Sequence, residues 1–313
     1  MLGAFLCWVT LWLFPGGLPT CARSAPDPFL LAASSYAADL QFPSEANRQV
    51  SSDNPGMTVY KPDGVGPFPG LVLFHQCAGL GTARRPNRSM FDWAKQAVFH
   101  GYAVLLIDSL VPRRVDTVCL GPKGGVNLPR GVKDALQAAE HLRRFEFVDK
   151  KKVALAGYSW GAMVALLASS KHWRTTLAPG QRFNAVISFY PGCRTITPQS
   201  GTPYEIVQPD IDAPLLVLMG ELDNETPASE CVTKLDAVGA ADAPVEWHVY
   251  SKTTHCWDCS PLDQNSKIDA RGNRVTYRYD ENVSRDSARR MFEFLEKTMG
   301  TGFAPAPLAT NCP

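Results

Sequence analysis

KVALAGYSWGAMVALLAS, residues 152–169, decides how the rest of the chain is read. Its first part, KVALAG, is a short apolar run suited to a buried strand. Its last part, AMVALLAS, is apolar and made of helix formers. Between them stands Gly157-Tyr158-Ser159-Trp160-Gly161. A chain that passes from strand to helix in so few residues must turn sharply, and the residue at the apex is held in strained backbone. Side chains two positions away on either flank would collide, which accounts for glycine at 157 and 161. Ser159 is therefore a candidate nucleophile. The helix that follows points free N–H groups at the apex, so the Trp160 N–H is a candidate oxyanion donor.

Outward from that turn, strands and helices alternate. GLVLFH (70–75), YAVLLID (102–108), NAVISFYPG (184–192), PLLVLMG (214–220) and VEWHVYS (245–251) read as further strands. SMFDWAKQAVFHGY (89–102), LPRGVKDALQAAEHLRRF (128–145), SECVTKLDAVGA (229–240) and SRDSARRMFEFLEKTMG (284–300) read as helices. Pro129 suits a helix start, and Gly239 and Gly300 suit helix ends. Continuous apolar strands separated by helices predict an α/β fold, a parallel sheet covered on both faces. No linker divides the chain and no internal repeat stands out.

The 313 residues are 45% hydrophobic, enough for a large core, and the formal net charge is +1. The basic residues are scattered, which argues against a nucleic-acid partner. The first residues carry an apolar run of ~14 residues ending at Pro15, too short for a membrane span and suited to a signal-peptide core. Ala22-Arg23-Ser24 permits cleavage before Ala25. The expected organisation is a signal peptide at 1–24, one domain at 25–300 and an extended tail at 301–313. The protein is thus expected to be exported, periplasmic or secreted, with no membrane span once the signal is removed. Nine cysteines fit that compartment.

A serine nucleophile needs a base, an acid to orient it and a second oxyanion donor. The acid is expected at a strand end after the turn, and Asp223 in GELDNETP (220–227) stands there, with Glu221 and Glu225 as neighbours. Of six histidines, His255 in SKTTHCWD (251–258) follows both the acid and the last core strand. The order Ser, Asp, His is the order of this class of fold. The second donor is expected from the loop HQCAGLG (75–81): the N–H of Cys77, or that of Gln76.

HQCAGLG, GYSWG, GELDNETP and TTHCWD, in this order and spacing, resemble the dienelactone hydrolase family of α/β-hydrolases, over about residues 57–299. The resemblance implies hydrolysis of a small ester or lactone, no cofactor and no large cap domain. It departs from the family pattern twice. Founding members carry cysteine as nucleophile and a glutamate in the oxyanion loop, where this chain has Ser159 and Gln76. They also bind a substrate carboxylate with two arginines. Arg113 matches one as a substrate-binding candidate, and the other falls near Cys259, where no arginine stands.

In this fold Cys77 and Cys119 follow neighbouring strands and are expected to pair. Cys193 and Cys231 form a second candidate disulfide. Cys256 and Cys259 beside His255 suggest a zinc site, but a structural zinc needs four closed ligands and His255 already has a role. The chain is read with no metal. The leading function is ester or lactone hydrolysis through an acyl-enzyme. Acyl transfer or peptidase work by the same three residues, and a non-catalytic binding protein on the same fold, are the rivals.

Overall fold

The computed structural model describes residues 37–198, 201–238 and 242–300. The expected signal segment at 1–24 and tail at 301–313 lie outside them, as do Cys7, Cys21, Cys312 and Gly239. Eight strands form the central sheet: β1 (Ala46–Asn47), β2 (Thr58–Tyr60), β3 (Phe68–Phe74), β6 (Ala103–Leu106), β7 (Val148–Tyr158), β8 (Ala185–Phe189), β9 (Leu215–Gly220) and β10 (Val245–Tyr250). Their spatial order is β1-β2-β6-β3-β7-β8-β9-β10. Every pairing is parallel except β2 with β6. Two small hairpins lie apart from the sheet, β4 (Gly81–Thr82) with β5 (Arg85–Pro86), and β11 (Ser266–Ile268) with β12 (Arg274–Thr276).

Alternation along the strands builds two cores. On β3, Phe68, Val72 and Phe74 face one side and Leu71 and Leu73 the other. The first side is covered by α2 (Leu128–Leu142), α3 (Trp160–Ala168), α4 (Lys171–Leu177) and α5 (Ala228–Ala237) through residues such as Leu136, Val164, Trp173 and Leu235. The second is covered by α1 (Arg88–Phe99) and α6 (Glu281–Met299) through Met90, Phe91, Met291 and Leu295. Strands buried on both faces are predominantly apolar, and β3, β8 and β9, buried along their whole length, carry one polar side chain, Ser188, whose hydroxyl donates to the Ala162 carbonyl at 3.0 Å.

Helix ends follow local chemistry. The Asn127 side chain accepts the Arg130 N–H at the start of α2, with Pro129 in the first turn. Gly300 ends α6 in the left-handed region, φ 59°. The short strand β2, helix α4 and the hairpin β11–β12 are elements that the hydrophobic pattern did not announce. No large cap domain stands over the sheet among the described residues, and none of their helices is long and apolar enough to cross a membrane. The loops after β3, β6, β7, β8, β9 and β10 open on one edge, where the chain order reverses between β3 and β7. That is where a ligand site forms in an open α/β sheet.

Candidate active site

Ser159 sits at φ 53° and ψ −112°, between β7 and α3. Its N–H is held by the Phe189 carbonyl at 2.9 Å, which fixes the turn from the neighbouring strand. A Cβ on Gly157 would fall 2.0 Å from the Gly161 carbonyl oxygen, and one on Gly161 would fall 2.4 Å from that of Phe74. Both positions therefore exclude any side chain. The strain at Ser159 is held by these close approaches and aims its Oγ out of the turn.

His255 Nε2 lies 3.0 Å from Ser159 Oγ, and His255 Nδ1 lies 2.6 Å from Asp223 Oδ2. The three side chains named from chain order thus meet in one hydrogen-bonded line. The other Asp223 oxygen, Oδ1, accepts the N–H groups of Glu225 at 3.0 Å and Thr226 at 2.8 Å. The Thr226 hydroxyl stands 2.8 Å from Asp223 Oδ2 and 3.0 Å from His255 Nδ1. The carboxylate is thereby clamped by its own loop while it holds the ring. Burial works against a charged His255, but the charge and hydrogen bond of Asp223, with the charge of Glu225, outweigh it. The imidazole is raised above its ordinary value of 6.5. Thr226 was not singled out from the sequence, although a hydroxyl three residues after an aspartate at a helix entry is a familiar pairing.

Trp160 and Cys77, the two residues whose backbone N–H groups are the oxyanion candidates, line the same cleft as Ser159. Neither donates to a protein acceptor among the described residues. The peptide before Cys77 is fixed from behind by His75. The Ser109 N–H donates to His75 Nε2 at 3.0 Å, so the ring proton is on Nδ1, which donates to the Gln76 carbonyl at 2.6 Å. The Gly79 N–H reaches that carbonyl too, at 3.1 Å. In a trans peptide the N–H points opposite to the carbonyl, so these bonds orient the Cys77 N–H. Burial lowers the His75 value and keeps it neutral, as this tautomer requires. The Gln76 side chain turns away from the cleft. Its Oε1 accepts from Asn87 at 2.7 Å and its Nε2 faces the Tyr190 hydroxyl at 3.3 Å. Tyr190 packs edge-on against His255 at 4.7 Å and donates to Asp258, which also accepts from the Trp93 indole at 2.6 Å.

The cleft encloses about 720 Å³ and its walls are the segments at 118–127 with the start of α2, 192–198, 201–204 and 269–271. Disulfides fasten two of these walls: Cys77–Cys119 and Cys193–Cys231, the two pairs anticipated. A third, Cys256–Cys259, follows His255 directly. Cys256 and Cys259 had suggested a zinc site beside His255; the structure groups their sulfurs instead with an Asp258 carboxylate oxygen, all within 4.8 Å of one another. As a disulfide the two sulfurs present no thiolate to an ion. Replacing both Cys77 and Cys119 by alanine should cost about 2–4 kcal/mol, since the bond closes a loop of 42 residues. Urea unfolding of the variant beside the parent measures this. Nine titratable thiols in the denatured, unreduced full chain would overturn all three pairs.

Arg113, the substrate-binding candidate from the sequence, is not among the residues that line the cleft. Its side chain is 5% exposed and forms a bidentate pair with Asp134, at 2.6 and 2.8 Å. Its remaining bonds go to the carbonyls of Ser109 and Ala38. A guanidinium has five N–H donors, and these contacts use all of them. Arg130 binds Asp134 from the other side at 2.8 Å, completing a buried cluster that ties α2 to the loop after β6. Desolvating such a pair is tolerable only with this degree of satisfaction.

The sheet order, the strained serine turn and the Ser-His-Asp line define an α/β-hydrolase. The sequence matches the model of the dienelactone hydrolase family over residues 56–299. The chain belongs to that family, and with it to the hydrolases of carboxylic esters. Among solved structures it is similar to a Klebsiella pneumoniae protein assigned as a dienelactone hydrolase, at 17% identity and TM-score 0.56, covering 77% of this chain and 93% of that one. It is also similar to MGS-M1, an alpha/beta hydrolase enzyme from a Medee basin deep-sea metagenome library, at 19% identity and TM-score 0.54, covering 79% and 99%. A third is the butyrate-bound esterase of Thermogutta terrifontis, at 16% identity and TM-score 0.53, covering 80% and 91%. At these identities the likeness is one of fold. No curated protein matches the sequence.

Proposed function

We propose that the protein is an exported serine hydrolase that cleaves a small ester or lactone through an acyl-enzyme. The observation that carries this reading is the hydrogen-bonded line Ser159–His255–Asp223 at 3.0 and 2.6 Å, mounted on a strained strand-to-helix turn. His255 takes the Ser159 proton as Oγ attacks the acyl carbon. Asp223 holds the ring with its proton on Nδ1 and stabilises the imidazolium. The N–H groups of Trp160 and Cys77 receive the oxyanion, and His255 then gives its proton to the leaving oxygen. Water repeats the sequence against the acyl-enzyme with His255 again as base. Gln76 contributes its peptide plane rather than its side chain. The mature chain starts at about residue 25, and its three disulfides suit an oxidising compartment.

Labelling by a fluorophosphonate, with the modified peptide mapped to Ser159, separates this reading from a non-catalytic fold. A panel of esters graded in acyl length then defines the acyl group. Failure to label Ser159 in folded protein refutes the nucleophile.

Activity should rise with pH, because His255 accepts a proton only when neutral. Its raised value places the midpoint above the ordinary 6.5 of an imidazole. The stability contribution runs the other way: it is full below the unfolded-state value and is lost as pH rises through the folded-state value. The measurement is kcat/KM against pH from about 5 to 9. A flat profile would mean that another group accepts the proton.

A further inference from the structure

Glu225 is an acid at the reacting centre that the triad does not need. Its Oε2 lies 3.9 Å from His255 Nε2, the ring nitrogen that faces Ser159. Asp223 already occupies the other nitrogen. The Glu225 side chain is 14% exposed and lines the cleft that holds Ser159. It does not hang free. The Tyr277 hydroxyl donates to Oε2 at 2.9 Å and Lys267 Nζ donates to Oε1 at 2.7 Å. Lys267 comes from β11, and Tyr277 follows β12 directly. The ammonium also stands 5.4 Å over the Tyr277 ring. The hairpin that the hydrophobic pattern failed to announce thus holds one carboxylate in place.

We propose that Glu225 sets the charge preference of the site, admitting esters with neutral or cationic leaving groups and turning away those with anionic ones. This rests on the reading of Ser159 and His255 as the reacting pair. In that reading His255 Nε2 must come within hydrogen-bond reach of the leaving oxygen to protonate it. The first atoms of the leaving group therefore pass within a few ångströms of Glu225 Oε2. A negative group there meets the Oε2 edge of a carboxylate whose other oxygen pairs with Lys267, in a partly enclosed cleft where screening by water is reduced. A hydroxyl or ammonium on the leaving group meets an acceptor with unused lone pairs. The means of holding an anion is absent at the two positions where the family resemblance would place it. Arg113 has spent all five donors on Asp134, Ser109 and Ala38, and Cys259 is joined to Cys256.

The groups facing His255 are Asp223, Glu225 with its partner Lys267, the rings of Tyr190 and Tyr277, and Asp258 at greater remove. Glu225 is thus, with Asp223, a carboxylate that favours the imidazolium from close by, and its removal has a pH signature besides the substrate signature.

The test uses two aryl esters of one acyl group, one neutral and one carrying a carboxylate on the leaving group. Each is assayed with wild type, Glu225→Gln and Lys267→Met. The readout is the neutral-to-anionic ratio of kcat/KM within each protein, so a partial loss of folded enzyme cancels. Relative to wild type, Glu225→Gln should lower the ratio about tenfold or more, because Lys267 is then an unpaired cation. Lys267→Met should raise it. The midpoint of the Glu225→Gln pH profile should also move to lower pH. An unchanged ratio in Glu225→Gln overturns the proposal while leaving the serine mechanism intact. Absence of ester turnover and of fluorophosphonate labelling in wild type overturns both.

Discussion

Ser159→Ala should lower kcat/KM for any true ester substrate by roughly a thousandfold or more, with the fold unchanged. The loss is large because no second nucleophile stands in line. His255 Nε2 points at Ser159 Oγ, and Thr226, the neighbouring hydroxyl, lies on the opposite ring nitrogen beside Asp223. The fold should survive because the substitution removes one oxygen and no backbone bond. The Ser159 N–H to Phe189 remains available to alanine, and Ala162 and Met163 still donate to the carbonyl of residue 159. Alanine at φ 53° carries the same strain as serine, so thermal unfolding should shift little. Rates on a panel ester and an unfolding curve on the same preparation make the measurement. More than a tenth of the wild-type rate would refute Ser159 as nucleophile.

Much of this site could be read from the chain because its constraints are local. Gly157 and Gly161 are forced by carbonyl oxygens within 2.4 Å of where a Cβ would stand, and such crowding leaves a mark on the sequence. Asp223 and His255 follow from strand order, since parallel strands deliver successive loops to one edge. The pairs Cys77–Cys119 and Cys193–Cys231 follow from the same rule together with the fold's neighbour relations. The placement of Arg113 away from the cleft has a long-range reason. Its fate depends on Asp134, 21 residues further on, and on the Ala38 carbonyl, 75 residues back. No local pattern distinguishes a surface arginine from one spent in a buried cluster. His75 precedes the serine and so falls outside the Ser, Asp, His order, yet its ring orients the peptide before Cys77. Cys256 and Cys259 suggest metal ligands in the sequence, because Cys-x-x-Cys by itself does not say whether its sulfurs are joined. The hairpin at 266–276 is short and largely exposed, so it lacks the apolar period that reveals strands.

Asp223→Asn should reduce kcat by about a thousandfold to ten-thousandfold, with a much smaller change in KM. The mechanism lies in which atom faces the ring. Asparagine can keep its carbonyl oxygen where Oδ1 now accepts the N–H groups of Glu225 and Thr226, since only an acceptor satisfies both. Its NH2 group then takes the place of Oδ2, 2.6 Å from His255 Nδ1. A donor there cannot receive the ring proton. It favours the tautomer protonated on Nε2, which points N–H at Ser159 and cannot accept the serine proton. The imidazolium also loses the carboxylate that contributes to its raised value, so both the orientation and the charge of the base are spoiled. Substrate binding is less affected because Asp223 is 4% exposed and faces the ring rather than the cleft. Glu221→Gln is the control. Glu221 accepts from the Ser251 hydroxyl at 3.0 Å and the Lys252 N–H at 2.8 Å, on the outer side of the loop. Its replacement should change kcat by only a few-fold. The comparison requires kcat and KM for parent and both variants, with unfolding curves to show that each is folded. If Glu221→Gln were the more damaging, Asp223 would be a loop clamp and the orienting acid would have to be sought elsewhere.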